Sequence, residues 1–440
     1  MNIWLIHPCN QLPGDAWRES RIQSIASALV ARGHECLWWT ANFSHHTKSF
    51  RSKGWKDIDV QPCYRIRLVP TPAYYRHVGL ARLRFHWLLS WRIYRRGRTE
   101  RRPDAIIVND APLGDSWWAW CLARRFRAKL ILDITDEWPE QFVLAFAPSW
   151  RRIVQPIFSP LYVIREFVRR RADGISALSK SYFRPVRNEV PNPRPGSWLF
   201  VYNGVDIEAF RKILNDEAAP EGPLRGLTKK ENELWAIYAG TLGITYDITT
   251  IVKAAELLEQ KRAPVRLIIA GDGPMCSVVK EATGRNGPYL TYVGKLKHQD
   301  LIHIYKRCDV GLATYSPASS VAMPDKAYDY LAAGLAIVSS LRGELADWIK
   351  NQQFGFLYQA GDAQSLADVL QALAAKPEMT RMMARHSSET AVLFDRHRQY
   401  GTYADWVEFI LDQKAAVIQP KNCFFETTVH KDGPEHPCQM

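Results

Sequence analysis

No run of apolar residues in this 440-residue chain approaches the roughly 20 that a membrane-spanning helix needs. The eight cysteines are scattered through both halves without a CxxC pair, so neither a disulfide framework nor a zinc site is indicated. The opening "MNIWLIHPCNQLPGD" has no basic leader and only a short apolar run. "IWLIH" therefore reads as a first β-strand rather than part of a signal peptide, and the cytoplasm is the expected location. Acidic residues are scarce in one half only. Residues 1–200 hold 32 Lys and Arg against 16 Asp and Glu, a net of +16; the remaining 240 residues hold 26 against 29, a net of −3. Thirteen of the 16 tryptophans also fall in the first 200 residues, so the two halves have different work and the first suits an anionic surface or substrate.

A chain of this length is too long for one ordinary core and suits two domains of about 200 residues each. In the first half short apolar runs alternate with helical patterns. "IWLIH" (3–7) leads to a helix around 18–33, where Ile22, Ile25, Ala26, Leu29 and Val30 repeat with a 3.6-residue period. Further strands are expected at 64–69, 104–110, 129–135, 174–178 and 199–203. "PNPRPGS" (191–197) is a break, and a second alternating series starts at "LWAIYAG" (234–240). It continues through "VRLIIAGDGP" (265–274), "YLTYVG", "DVGLATYS" (309–316) and "PDKAYDYLAAGLAIVSS" (324–340). The expected fold class is α/β, with two doubly wound Rossmann-like domains facing a cleft. The expected boundaries are 1–205, 206–395, a helix over 396–418 returning to the first domain, and a disordered tail over 419–440.

In such sheets ligands bind beyond the carboxyl ends of the strands, where backbone N–H groups are free. Four turns there stand out: "NQLPGD" with Gly14, "AGTLGITYD" with Gly240 and Gly243, "AGDGP" with Gly271, and "SPASSVAMPDK" leading into the helix at 324. Each alone is an ordinary turn; their order and spacing form the signal. In the last helix Lys326 and Asp329 stand three residues apart, either an exposed ion pair or a phosphate ligand and a ribose acceptor.

The stretch "YAGTLG…AGDGP…YVGKL…LIHIYKRCDVGLA…PDKAYDYLAAGLAIVSS" resembles the retaining glycosyltransferases of family 4, which have the GT-B fold. The resemblance runs from Ile3 to about Trp406. "LDITDEWPE" and "RGHECLWWTANFSHHT" are similar to the branch acting on bacterial surface polysaccharides, and "YNGVDIEAF" to the connector between domains. The resemblance implies a nucleotide-diphosphate sugar as co-substrate, no cofactor and no metal, with an acceptor at the N-terminal domain. It implies that Gly14, Asp15, Gly240, Thr241, Gly243, Gly271, Asp272 and Lys295 line the donor site. It places Pro324, the helix N-terminal amides of Ala322, Met323 and Asp325, and the Lys326 ammonium beside the leaving diphosphate. Asp329 stands where the family has a ribose-binding glutamate. Asp136, where many members have a histidine, is expected near the reaction centre; its alternative reading is a helix N-cap. Asp15, which would repel phosphate, is expected to face acceptor or sugar hydroxyls.

The sequence departs from the family at Val321, where the first of two glutamates is usual, and at the missing basic pair in "GTLGITYD". "DID" (57–59) matches a metal-binding DxD by chance. Residues 64–102 carry 11 arginines and one acid, with an apolar stripe of Val78, Leu80, Leu83, Trp87, Leu88, Trp91 and Ile93 or Tyr94, and 150–171 is a second basic segment. Basic Trp-rich amphipathic helices suit anionic membrane interfaces; the alternatives are a solvated face packed on the core, or a nucleic-acid surface, for which no accompanying motif exists. The expected protein transfers a sugar from a nucleotide sugar to a saccharide acceptor, lipid-linked, at the inner face of the cytoplasmic membrane. The alternative is a GT-B scaffold without catalysis that serves as a binding or assembly partner.

Overall fold

The computed structural model describes residues 1–15, 18–75, 79–136, 140, 150, 153, 155–216 and 227–412. Their strands form two sheets. The first contains β1 (Asn2–Ile6), β2 (Glu35–Ala41), β3 (Lys56–Gln61), β4 (Tyr64–Val69), β5 (Ala105–Asn109), β6 (Lys129–Ile134), β7 (Gly174–Ala177) and β8 (Trp198–Phe200), ordered β3-β4-β2-β1-β5-β6-β7-β8. The second contains β9 (Leu234–Ala239), β10 (Val265–Ala270), β11 (Leu290–Gly294), β12 (Val310–Ala313), β13 (Ala336–Ser339) and β14 (Gly355–Leu357), ordered β11-β10-β9-β12-β13-β14. Strands such as "AIIVN" and "LWAIYA" are apolar almost throughout because helices cover both faces of each sheet. The helices that bear on function are α1 (Arg21–Val30), α2 (Leu80–Gly97), α3 (Leu113–Phe126), α4 (Ser159–Arg169), α5 (Ile248–Gln260), α6 (Cys276–Asn286), α7 (Asp325–Ala332) and α8 (Arg396–Leu411).

Chain order reverses beside the first strand of each sheet, at β2-β1-β5 and at β10-β9-β12. Such reversals open a crevice past the strand ends. The turns holding Gly14 and Gly240 follow these two strands.

One edge differs from the all-parallel expectation. "KDIDVQ" forms β3, which pairs antiparallel with β4 and sets Asp57 opposite Arg67 and Asp59 opposite Arg65. Arg67 Nε donates to Asp57 at 2.7 Å and Arg65 Nε to Asp59 at 2.7 Å. Cross-strand ion pairs stabilise the ladder and discourage further pairing at the edge. The DxD carboxylates are thereby engaged.

Arg21 opens α1 and is buried. It grips Asp133 of β6 with two hydrogen bonds of 2.8 Å and donates to the Val201 carbonyl at 2.6 Å. Burial would raise the Asp133 pKa, but Arg21 and the Ser176 hydroxyl bring it below its usual value. The apolar face of α1 (Ile22, Ile25, Leu29) shares a core with Tyr403, Val407 and Ile410 of α8. Thus α8 follows the second sheet in sequence but packs with the first. The expected tail from 419 lies outside the described residues.

The basic segments divide. On α2, Phe85, Leu89 and Ile93 face inward, while Leu80, Leu83 and Trp87 face solvent; Trp87 is 59% exposed and stacks on Trp91. On α4 the arginines are structural: buried Arg169 pairs with Asp110 and Glu189, and buried Arg165 with Glu140 and Glu189. The second basic segment therefore presents less free charge than its sequence suggests. No helix among the described residues is long and apolar enough to cross a membrane.

Candidate functional site

The turns after β9, β10 and β11 are laced together by backbone hydrogen bonds. Gly240 N donates to Ala270 O at 3.0 Å, Leu242 N to Asp272 O at 2.9 Å, and Gly271 N to Gly294 O at 2.8 Å. Glycine is required at Gly271: φ is +148°, and a Cβ there would stand 1.8 Å from the Gly240 carbonyl oxygen. The laced turns enclose a cleft of about 490 Å³ lined by Gly240, Thr241, Gly271, Asp272, Lys295 and Leu296.

Helix α7 borders the same turns. Pro324 is its N-cap, and Asp325 is its first residue. This corrects the expectation for Ala322 and Met323. Their side chains are buried, the Ala322 carbonyl accepts from Leu345 N at 3.1 Å, and both residues precede the helix. Proline has no N–H, so the free amides of the first turn start at Asp325 and Lys326. Val321 packs on the core of the second domain.

Lys326 and Asp329 do not pair with each other. The Lys326 side chain runs back toward β9, and its Nζ lies 3.7 Å from the Tyr238 ring centroid, with the Tyr246 and Tyr315 rings at 5.1 and 5.4 Å. Gly240 leaves room for it: a Cβ there would stand 3.1 Å from Nζ. The nitrogen is shielded from solvent and has no hydrogen-bond partner among the described residues. Burial holds its pKa well below the ordinary lysine value. Three aromatic faces attract the cation, but none accepts its protons. An anion seated in the turn would.

Asp329 is buried, and burial pushes its pKa up to about 6 against the opposing pull of Arg18. Arg18 comes from the loop ahead of α1, forms an ion pair with Asp329, and lies 3.7 Å from Asp325. Asn203 Nδ2 donates to Asp325 at 2.9 Å, and Tyr202 bonds Glu344. His298 stands beside the same group; burial, Arg18 and Arg396 together lower its pKa to about 3. Sequence reasoning missed Arg18 and Asn203, because no local pattern marks a partner on the other domain.

On the first sheet, Gly14 has φ +86° with open space around it. Asp15 is exposed, and its carboxylate accepts from Leu12 N at 3.0 Å and Arg51 Nη2 at 2.6 Å. Arg51 thus supplies a positive charge beside Asp15 at the cleft end of the first sheet. Asp136 stands exposed past the end of β6, beside Thr135, whose hydroxyl donates to Asn109 at 3.2 Å. The N-cap reading of Asp136 depends on 137–139, outside the described residues. In the second domain Thr241 is exposed, with its carbonyl holding the Tyr238 hydroxyl at 2.8 Å. Gly243 caps the short 3-10 turn Ile244–Tyr246. Asp272 folds back onto Gly273 N at 2.8 Å and Cys276 Sγ at 3.1 Å, which lowers its pKa; Lys295 is exposed at the rim. The structure thus gathers Gly240, Thr241, Gly271, Asp272 and Lys295 around one cleft, with Lys326 Nζ packed against Gly240 at its edge. Asp329 lies on the same helix as Lys326, facing the first domain, and Asp136 lies at the end of the first sheet.

Comparison with known proteins agrees with this geometry. Residues 224–390 match the family described as "Glycosyl transferases group 1", and 19–204 match the "Glycosyl transferase 4-like domain". The chain is 28% identical over 217 residues to EpsD of Bacillus subtilis (strain 168), whose own name makes it a glycosyltransferase only provisionally. That match covers 48% of this chain and 54% of EpsD, so the chain spans about half the length of this relative. Among solved structures, the sucrose-phosphate synthase of Thermosynechococcus elongatus superposes with a TM-score of 0.67 at 17% identity, covering 93% of this chain and 98% of that one. The UDP complex of Anabaena HepE gives 0.64 at 15%, covering 93% and 100%, and apo OtsA gives 0.68 at 13%, covering 95% and 100%. At these identities the likeness is one of fold.

Proposed function

This chain belongs to the group 1, family 4-like glycosyltransferases with the GT-B fold, and on that premise we propose that it moves a sugar, with retention, from a nucleotide-diphosphate sugar to a lipid-linked saccharide during cell-surface polysaccharide synthesis. The second domain holds the donor and the first meets the acceptor. The observation that carries the reading is the Lys326 ammonium, shielded, without an acceptor, and aimed into the Gly240 turn. A diphosphate there receives the ammonium's protons and the first N–H groups of α7, which stabilise the charge that develops as the bond from the sugar to phosphate breaks. These groups supply the positive charge, so the mechanism proposed routes nothing through a metal. Asp329 accepts from the ribose hydroxyls. The acceptor hydroxyl attacks on the face from which the diphosphate leaves and passes its proton to the departing phosphate oxygen. Asp136 contacts the sugar or acceptor.

UDP is the first nucleotide to try, since HepE was crystallised with UDP and UDP-glucose. The outward face of α2, with Leu80, Leu83, Trp87 and nearby Arg84, Arg95, Arg96 and Arg98 exposed, suits an anionic membrane surface, on the cytoplasmic side where nucleotide sugars are made. The test is thermal: UDP should raise the melting temperature of the protein, and Lys326→Ala should abolish the shift. A protein stabilised by no nucleoside diphosphate contradicts the reading.

A further inference from the structure

A second group of cations, in the first domain, has no role in the donor site. After β2 the chain folds back through 44–51, closed by Ser44 N to Ser49 O at 2.8 Å and Lys48 N to Ser44 O at 3.0 Å. The turn puts Lys48 in the left-handed region, φ +54°, and aims its Nζ over the Tyr74 ring, 4.6 Å from the centroid. That nitrogen is shielded from solvent and has no hydrogen-bond partner among the described residues. Tyr74 is buried, shares a hydrogen bond with His45 Nδ1, and packs edge-on against Phe85 of α2 at 4.8 Å. Among the described residues no carboxylate answers the ammonium: the groups that reach it are the repelling Arg82 guanidinium and the Cys9 thiol. Arg82 stands in the first turn of α2, with Nε 3.4 Å from His86 Nε2. Asp115, the buried acid of this region, is taken up by the Ser90 hydroxyl, and burial pushes its pKa up to about 7.

Two cations held near each other, one of them without an acceptor, form a site that an anion completes. We propose that Lys48, Arg82, His45 and Tyr74 receive a phosphate or diphosphate carried by the acceptor, the group that joins a lipid-linked saccharide to its lipid. The proposal rests on the transferase reading and names the acceptor's chemistry. Position supports it twice. Arg51 of the same loop holds Asp15 in the turn after β1, so the cradle abuts the cleft end of the first sheet. Arg82 also shares its helix with outward-facing Leu80, Leu83 and Trp87, so a phosphate bound at Lys48 leaves its chain beside an apolar surface.

The test uses the full chain carrying Lys326→Met, so that the donor cleft does not take the probe. Geranyl diphosphate and inorganic pyrophosphate are titrated by calorimetry at fixed ionic strength. Geranyl diphosphate should bind, and adding Lys48→Met or Arg82→Gln should weaken it about tenfold or more. Pyrophosphate should bind more weakly than the alkyl diphosphate; equal affinity overturns the lipid-linked source. Unchanged affinity for geranyl diphosphate in the Lys48→Met chain overturns the site. The Lys48→Met single variant should still be stabilised by UDP, which shows it folded with its donor cleft intact. Conversely, Lys48-dependent diphosphate binding without any UDP stabilisation of the parent chain sinks the donor reading alone.

Discussion

Arg18 and Asp329, 311 residues apart, form an ion pair that ties the loop ahead of α1 in the first domain to α7 in the second. If Asp329 receives the ribose as proposed, the diol meets a carboxylate already bound by arginine, and donor binding would then be joined to the relation between the two domains at one side chain.

The pair sets a pH dependence. Burial raises the Asp329 pKa from 3.8 to about 6, so the folded protein keeps a proton there that the unfolded chain has lost. Stability from this group falls as pH rises from about 4 to about 6 and is level above. Arg18→Met removes the opposing positive charge and moves the pKa higher, so its stability should keep falling above pH 6. Thermal midpoints of the two proteins should lie closer at pH 5 than at pH 7.5, where the variant should be less stable by ~1 kcal/mol or more.

Asp329→Asn should weaken UDP binding about tenfold and erase the preference for UDP over 2′-deoxy-UDP, because the amide is a poorer acceptor for ribose hydroxyls. Calorimetry with the two nucleotides reads this; a preference that survives the substitution assigns the ribose elsewhere.

Gly271→Ala should cost ~2 kcal/mol or more and remove the UDP shift, since its Cβ meets the Gly240 carbonyl at φ +148°. Gly284→Ala, in the interior of α6 with nothing within 4 Å of the new methyl, should instead stabilise by ~0.5–1 kcal/mol. Melting curves with and without UDP distinguish the two.

Binding to vesicles of anionic lipid should weaken when Leu83 and Trp87 are both replaced by serine, and when Arg95, Arg96 and Arg98 are changed to glutamate. It should also fall at high salt. Sedimentation with phosphatidylglycerol vesicles measures it; equal binding to zwitterionic vesicles at all salt concentrations contradicts an electrostatic contribution.

Local patterns made much of this legible. The apolar strands, the period of α1 and the glycine turns each depend on neighbours a few residues away, and they are found within a few residues of where the sequence places them. What stayed hidden depends on distant partners. "KDIDVQ" shows only a chance DxD until Arg65 and Arg67 face it across a hairpin. Arg165 and Arg169 read as a basic surface until Asp110 and Glu189 bury them. The direction of Lys326 depends on the missing side chain at Gly240 and on three tyrosines brought in from separate strand ends. The partner of Asp15 stayed hidden for the same reason: Arg51 lies 36 residues away.

Lys326 gives the decisive experiment: UDP titrated calorimetrically into the parent chain and into Lys326→Met. A diphosphate that restores the ammonium's ordinary pKa takes up a proton on binding, so the parent chain's affinity should fall as pH rises. Lys326→Met should bind UDP at least tenfold more weakly, without that proton uptake. Relieved of a buried amine that has no hydrogen-bond partner among the described residues, it should also melt a few degrees higher without nucleotide, about 2–4 °C per kcal/mol. A Lys326→Met protein that binds UDP as tightly as its parent, with the same pH dependence, would contradict the account.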